Sequence, residues 1–451
     1  MEKNMTQGAP WKHILLFSLP ILGGMLLQLM YTTVDAIVVG NFVGDVVLGA
    51  MNSATSYSNV LLAISTGLST GCGIVIAQFF GADDRDGVKK CISTMIILMI
   101  GLGLIITVAG ILTSNLVLTV ILGVPEEILK YSSTYINIYF LGMVFQFAYN
   151  AFAAELRAVG DSKATMLFLL ISSISNVIFD LVFVIVFNWG VAGVAIGTVL
   201  AQAISAVVSL VYIYKKQPLL SLKRNEFIFQ KEKCALILKL GVPVMVQTII
   251  SNLGSFAMQR LINTFGSSTM AGIAAANKLE SYAIMPNVAF ASGMATYAGQ
   301  NAGAGDLKRV WKGYISGLVI SGTFCAVLSI IVFTLASPLI KAFGCSGDSL
   351  TFGIQYLRFM ACCLLMMMVL FVSRGMLQGV GDAAITTVIT FLTLAIRIAL
   401  AYWMATWPSV GRKALYICMG IDFFIGMVFY LIRIATGVWK KKIIVKSEQN
   451  S

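Results

Sequence analysis

Continuous apolar runs of 20 or more residues recur along almost the whole chain, and no other feature narrows the fold so far. Each run is long enough to cross a ~30 Å hydrocarbon core as a helix. Inside such a core only helices and closed barrels satisfy their own backbone polar groups. A barrel needs alternating apolar and polar residues over strands of ~10 residues, and these runs do not alternate. Hydrophobic residues make up 58% of the sequence and charged residues 11%, with a mean hydropathy of +0.90. Soluble domains carry about 25% charged residues, so these values exclude an ordinary soluble enzyme, a disordered chain and a nucleic-acid-binding module. The expectation is an all-α polytopic membrane protein, with the lipid bilayer as a partner and no nucleic acid.

Twelve spans are expected, at roughly 14–40, 49–80, 91–121, 130–158, 163–187, 190–214, 233–265, 272–301, 310–340, 352–379, 384–407 and 412–439. Several exceed ~25 residues, which implies tilt, kinks or ends that run into the interface. The one substantial polar connector, KKQPLLSLKRNEFIFQKEK (215–233), divides the chain. The expected organisation is a six-helix bundle over 1–214, a cytoplasmic linker over 215–232, a second six-helix bundle over 233–440 and a cytoplasmic tail over 441–451.

Lys and Arg collect in cytoplasmic connections. With the N-terminus placed inside, twenty of them fall on the inner side, from Lys3 and Lys12 through Arg85, Lys89 and Lys308 to Lys440 and Lys446. Only Lys130, Lys341, Arg412 and Lys413 fall outside. Both termini are therefore expected in the cytoplasm, in a multi-pass protein of the inner (plasma) membrane, and the net charge of +12 is a topology signal. MEKNMTQGAPWKH carries no cleavable signal pattern before the first span, so insertion should use uncleaved helices. The eight cysteines show neither zinc-like spacing nor a disulfide framework and read as small buried hydrophobes.

The two halves resemble copies. Gln78, Gly81, Ala82, Asp84, Val88 and Lys90 match Gln300, Gly303, Ala304, Asp306, Val310 and Lys312 at an offset of 222. LRAVGD (156–161) matches LQGVGD (377–382) at an offset of 221, and Pro20 matches Pro243 at 223. A repeat of six spans, an even number, keeps both halves parallel, related by an axis along the membrane normal with a cavity between them.

Within that frame, Asp35 in span one and Asp180 in span five are carboxylates embedded in apolar helices. Such groups are costly, at ~2.5–3.5 kcal/mol on insertion scales, and are functional candidates by default. Asp35 stands five residues before the outer end of its span, Asp180 seven before the outer end of its own, and Thr198 eight after the outer start of span six. At about 1.5 Å per residue the three share one layer. Asn176 is one turn inward from Asp180, and Gln28 is two turns inward from Asp35 on the same face. The result is an oxygen-rich pocket that suits a hard cation such as sodium, held by Asp35, Asn176, Asp180 and Thr198, or a proton traded between the carboxylates. Tyr139 in span four is a further candidate.

The paired G-A-x-D ends of spans two and eight, the L-R/Q-x-x-G-D ends of spans four and ten, and Asn176-x-x-x-Asp180 resemble the multidrug and toxic compound extrusion (MATE) family over about residues 10–440. The resemblance implies twelve helices in two pseudo-symmetric bundles around a central cavity, exporting organic compounds in exchange for protons or sodium ions. Neither span seven nor span ten contains Asp or Glu; Ser251 and Met367 stand where the NorM-like branch has acids, so the chain looks more like the DinF-like branch. In that branch Asp35, Asn176, Asp180 and Thr198 match the positions implicated in cation coupling, with Gln28 nearby, and Pro20 matches a proline implicated in bending span one.

The second half has no matching acids: Ala257 or Met258 stands opposite Asp35, Arg397 opposite Asn176 and Ala401 opposite Asp180. Its embedded charges are Arg260, Lys278, Glu280, Arg397 and Asp422, which either pair with one another or line a substrate cavity. Glu280 and Arg397 are the cavity candidates, with Met367, in the run Met366–Met368, as an adaptable apolar wall. Lys239, Arg358 and Arg433 lie near span ends and are expected to snorkel.

Gly67-Leu68-Ser69-Thr70-Gly71 fits the G-x-S-x-G pattern of serine hydrolases, but it lies inside a span and the only histidine is His13. Close helix packing explains both it and Gly193-Val-Ala-Ile-Gly197. Neither a Walker A lysine motif nor HExxH is present, so neither ATP drive nor zinc proteolysis is supported. The reading is a secondary antiporter without cofactor, functional as a monomer. It exports small amphipathic, cationic organic compounds against protons or sodium by alternating access. A lipid-linked-oligosaccharide flippase of the same superfamily is the nearest alternative, and an intramembrane enzyme a more distant one.

Overall fold

The structure is a computed structural model that describes residues 4–42, 44–121 and 123–445, with backbone alone at 36, 37, 45–50, 52–56 and 121. The expected topology residues Lys3 and Lys446, and the rest of the tail from 446, lie outside the described residues. Among the described residues thirteen α-helices follow in order: α1 Pro10–Phe42, α2 Asp45–Gly81, α3 Arg85–Leu116, α4 Glu126–Leu141, α5 Met143–Ala158, α6 Ser162–Asp180, α7 Gly190–Lys216, α8 Lys231–Asn263, α9 Ser267–Gly303, α10 Leu307–Ala342, α11 Gly347–Gly379, α12 Ala383–Ala405 and α13 Ala414–Ala435. Ten are long and apolar enough to cross a membrane, and the pair α4 and α5, bent by 47°, makes an eleventh. Helix α9 is 37 residues long; Lys278 and Glu280 interrupt its apolar course.

The expected single span over 130–158 breaks at Gly142, between α4 and α5. A Cβ there would lie 2.6 Å from Val199 and 3.2 Å from Gln202, so glycine lets α7 approach the bend. The paired motifs are helix punctuation. Asp84 accepts a hydrogen bond from Gly87 N at 2.8 Å, Asp306 from Arg309 N at 2.8 Å and Asp161 from Ala164 N at 3.2 Å, each at a helix N-cap. The glycines just before Asp161 and Asp382 have φ of 87° and 99°, a region open to glycine at little cost.

The chain forms two compact units whose boundaries fall inside helices, at Pro20 in α1 and just past Pro243 in α8. The contacts therefore divide the chain otherwise than the expected break at 215–232. The first unit comprises residues 1–4 and 20–245, so it includes the connector and the first half of α8. Ile228 N donates to Ser93 Oγ at 2.7 Å, and Gly71 and Gly241 meet backbone to backbone. The second unit comprises residues 5–19 and 246–451. There Met5 N donates to Gln300 Oε1 at 2.8 Å, and Arg309 donates to Gly8 O at 2.7 Å. Its core joins Phe352, Leu357, Met360, Leu364, Ala401 and Met419.

Candidate functional site

In the first unit α1, α4, α6 and α7 carry the polar residues that the apolar runs isolate. Asp35 on α1 and Asp180 at the end of α6 are close enough to interact directly, so the two carboxylates expected at one depth are neighbours. Asp180 is buried, and neither of its oxygens has a hydrogen-bond partner; one oxygen of Asp35 is likewise buried and unpartnered. Asn176 Nδ2 donates to Thr198 Oγ1 at 3.4 Å, while Asn176 Oδ1 is buried without a donor. Thr198 itself donates to Val194 O at 3.0 Å, which leaves its hydroxyl oxygen as an acceptor.

Local sequence explains the placement. After Asp180 the helix widens into a π-helical run, Leu181–Val186, that continues the same span; π-helical segments recur at functional sites. Gly197 gives the carboxylate its room, because a Cβ there would lie 2.6 Å from Asp180 Oδ1. The expected small-residue packing holds here and at Gly193, where a Cβ would meet Phe183 at 3.0 Å. It also holds in the G-x-S-x-G stretch: a Cβ on Gly67 would meet Met245 backbone at 2.5 Å, which leaves no strand-to-helix elbow.

The other expected residues divide. Tyr139 is buried, stacks on Tyr135 at 6.0 Å and neighbours Gln202. Gln28 is exposed and neighbours Tyr31, one turn along α1. Pro20 lies inside continuous helix. Tyr31, Tyr135 and Gln202, which sequence reasoning did not single out, border the site; Gln202 Oε1 adds another buried acceptor without a donor. Glu155 on α5 was missed too: it is wholly buried with both oxygens unpartnered, away from this cluster. An acid in AFAAELRA is the signal, masked by Arg157 two residues on, which marks a span end.

The second unit gathers its charges separately. Tyr356 OH donates to Glu280 Oε2 at 3.2 Å, and Arg397 pairs with Asp422 at 3.7 Å, with Arg397 Nε buried and unpartnered. Mutual pairing of Arg397 and Asp422 is thus observed. Met367 is packed in the core of this unit, while Arg260 and Lys278 are exposed. Arg433 does not snorkel: its Nε and guanidinium terminus reach Asp382 Oδ2 at 2.8 Å, because the buried Asp382 offers a closer acceptor than water.

What the first-unit cluster can do follows from its donor count. Asp35, Asn176, Asp180 and Gln202 bring buried oxygens that no protein donor satisfies, and unsatisfied buried polar groups are expensive. A proton or a small cation is a partner that such a set of oxygens can accept. Among the described residues no group of three or more His, Cys, Asp or Glu could hold a metal ion; the cluster is a mixed carboxylate, amide and hydroxyl set, which suits a hard, weakly held cation.

The MatE family model matches residues 20–182 and 243–403, one block in each half. The chain is 29% identical to the Probable multidrug resistance protein YpnP of Bacillus subtilis over 97% of both chains. It is 25% identical to the Multidrug export protein MepA of Staphylococcus aureus over 87% of each. The fold matches a solved MATE structure in complex with MaL6 with a TM-score of 0.91, at 21% identity, over 97% of this chain and 99% of that one. With both halves matched, this chain belongs to the MatE family of membrane transporters.

Proposed function

We propose that the protein is a multidrug efflux antiporter, exporting small amphipathic organic compounds, cationic ones foremost, as protons or sodium ions enter. The observation that carries this reading is the pair Asp35 and Asp180, adjacent, embedded and surrounded by acceptor oxygens without donors. Two such carboxylates repel unless a proton or cation sits between them. A cluster of this kind binds its ion more tightly in one facing state than in the other. That difference in affinity is the only means by which an ion can bias a conformational equilibrium. The names of the relatives, multidrug resistance and multidrug export proteins, support the substrate class.

In this reading Asp35, Asp180, Asn176 and Thr198 hold the coupling ion, with Gln28, Tyr139 and Gln202 bordering it. The Glu280, Tyr356 and Arg397 group lines the substrate path. The protein works as a monomer in the plasma membrane with both termini in the cytoplasm, as the basic connections favour. The test is dye efflux from vesicles with a proton gradient and a sodium gradient imposed separately. Asp35→Asn and Asp180→Asn should each abolish gradient-driven movement while the protein still inserts; transport at the wild-type rate by either variant defeats the reading.

A further inference from the structure

A second polar feature of the molecule lies apart from the ion cluster, where α10 begins and α13 ends. Here a cleft of about 550 Å³ is lined by Leu307, Lys308, Trp311 and Lys312 on one side and by Ile434, Gly437, Trp439 and Lys440 on the other. The sequence builds it from two devices. Asp306 caps α10 and starts the helix so that Lys308 and Lys312, four residues apart, share a face with Trp311. Gly437 then takes a left-handed φ of 66° and turns the chain after α13 into the short helix Val438–Lys441. That turn tucks Trp439 under the end of α13, where its Nε1 donates to Ile434 O at 3.1 Å and Lys440 lies 5.8 Å over its ring.

The cleft has a definite chemistry. Three lysines line it and no carboxylate does. None of the three enters an ion pair among the described residues. Trp311 is 46% exposed, and Leu307 and Ile434 form an apolar floor. Lysines beside tryptophan at the end of membrane-spanning helices are placed at headgroup depth, where an indole prefers to sit and a lysine meets lipid phosphate. A soluble anion would be served by the lysines alone; the apolar floor and the exposed indole call for a ligand that is also amphiphilic.

We infer that this cleft between α10 and α13 is a binding site for the headgroup of an anionic phospholipid. The phosphate would sit among Lys308, Lys312 and Lys440, with the glycerol and upper acyl chain against Trp311 and Ile434. The site is independent of the ion cluster, so it stands whether or not the antiport reading does.

The test uses Trp311 and Trp439 as reporters, in a background in which the other four tryptophans, Trp11, Trp189, Trp403 and Trp407, are changed to phenylalanine. The full-length protein is reconstituted in vesicles containing either brominated phosphatidylglycerol or brominated phosphatidylcholine, and quenching of intrinsic fluorescence is compared. Stronger quenching by the anionic lipid is expected, and a roughly fivefold loss of that preference for each lysine replaced by glutamine at 308, 312 or 440. Trp311→Phe should remove most of the lipid-selective component, whereas Lys223→Gln with Arg224→Gln and Lys231→Gln, on the connector, should leave it intact. Equal quenching by the two lipids overturns the proposal, as does a preference that survives the three lysine changes together or disappears equally in the connector variant. Loss of the preference on adding inorganic phosphate assigns the cleft to a free anion and overturns it. So does a preference that appears only after residues 446–451 are deleted, which would make the chain's own tail the occupant.

Discussion

Gly197 and Asp180 are so close that a methyl group on the glycine would lie 2.6 Å from the carboxylate Oδ1. The carboxylate's position therefore depends on a neighbour that carries no chemistry of its own. Gly197→Ala should displace Asp180 from Asp35 and lower gradient-driven efflux at least tenfold, with expression and insertion retained. Gly40, where a Cβ meets nothing within 4 Å, is the control. Gly40→Ala should transport normally and gain about 0.5–1 kcal/mol of helix stability. Vesicle dye efflux beside detergent melting curves checks both.

Arg397 and Asp422 form an ion pair with both side chains largely out of solvent. Removing one partner strands the other. Arg397→Met alone should cost about 2–4 kcal/mol, whereas Arg397→Met with Asp422→Asn should recover most of that loss. A double-mutant cycle on melting in a single detergent measures the coupling; additive losses would show that the pair contributes nothing.

The cap aspartates differ in what they carry. Asp306 closes α10 through one backbone hydrogen bond, and its alanine variant should lose about 1 kcal/mol. Asp161 caps α6 and also accepts from Tyr212 OH at 2.8 Å and Gln217 Nε2 at 2.9 Å. Asp161→Ala leaves the buried Gln217 amide and the half-buried Tyr212 hydroxyl unmatched and should cost about 2–4 kcal/mol, more than the cap alone. Urea or thermal unfolding of the two variants side by side tests the ranking.

The connector is fastened by Glu226, which accepts from Lys89 Nζ at 2.7 Å. That lysine holds the Glu226 carboxyl below the usual carboxylate range. A carboxylate with a depressed folded pKa adds stability above its unfolded value of about 4.3 and loses it as the pH falls through the folded value. Protection of residues 223–230 against hydrogen exchange, measured relative to the intrinsic rate at each pH, should accordingly fall below about pH 4.3. Glu226→Gln should show the lower protection already at neutral pH and lose the acid dependence.

How much of this was legible in the sequence depends on the reach of each signal. Asp35 and Asp180 declare themselves because a carboxylate in an apolar helix has few reasons to be there, and helical rise alone puts them in one layer. Tyr31, Tyr135 and Gln202 do not, since tyrosine and glutamine occur in membrane helices for many reasons and only the packing of α1, α4 and α7 brings them to the site. The break at Gly142 was hidden inside an unbroken apolar run, because its cause is Val199 on another helix. Arg433 was assigned to water for the same reason: its partner Asp382 lies 51 residues away. Glu155 was passed over beside Arg157. The unit boundaries at Pro20 and Pro243 were marked as a repeated pair, but which half each helix end packs into is a matter of long-range contacts that local pattern does not encode.

The aspartates at 84, 161 and 306 also bear on the chain's ancestry. A doubled gene inherits both its scaffolding and its machinery, and the two wear differently. Turn-closing carboxylates serve folding in either copy, so both copies kept them. Nothing obliged both copies to keep an acid at the active layer, and where one half holds Asp180 the other holds Ala401. The proposed antiport divides along the same line: the ion belongs to the half that holds Asp180, and the cargo to the half that holds Ala401.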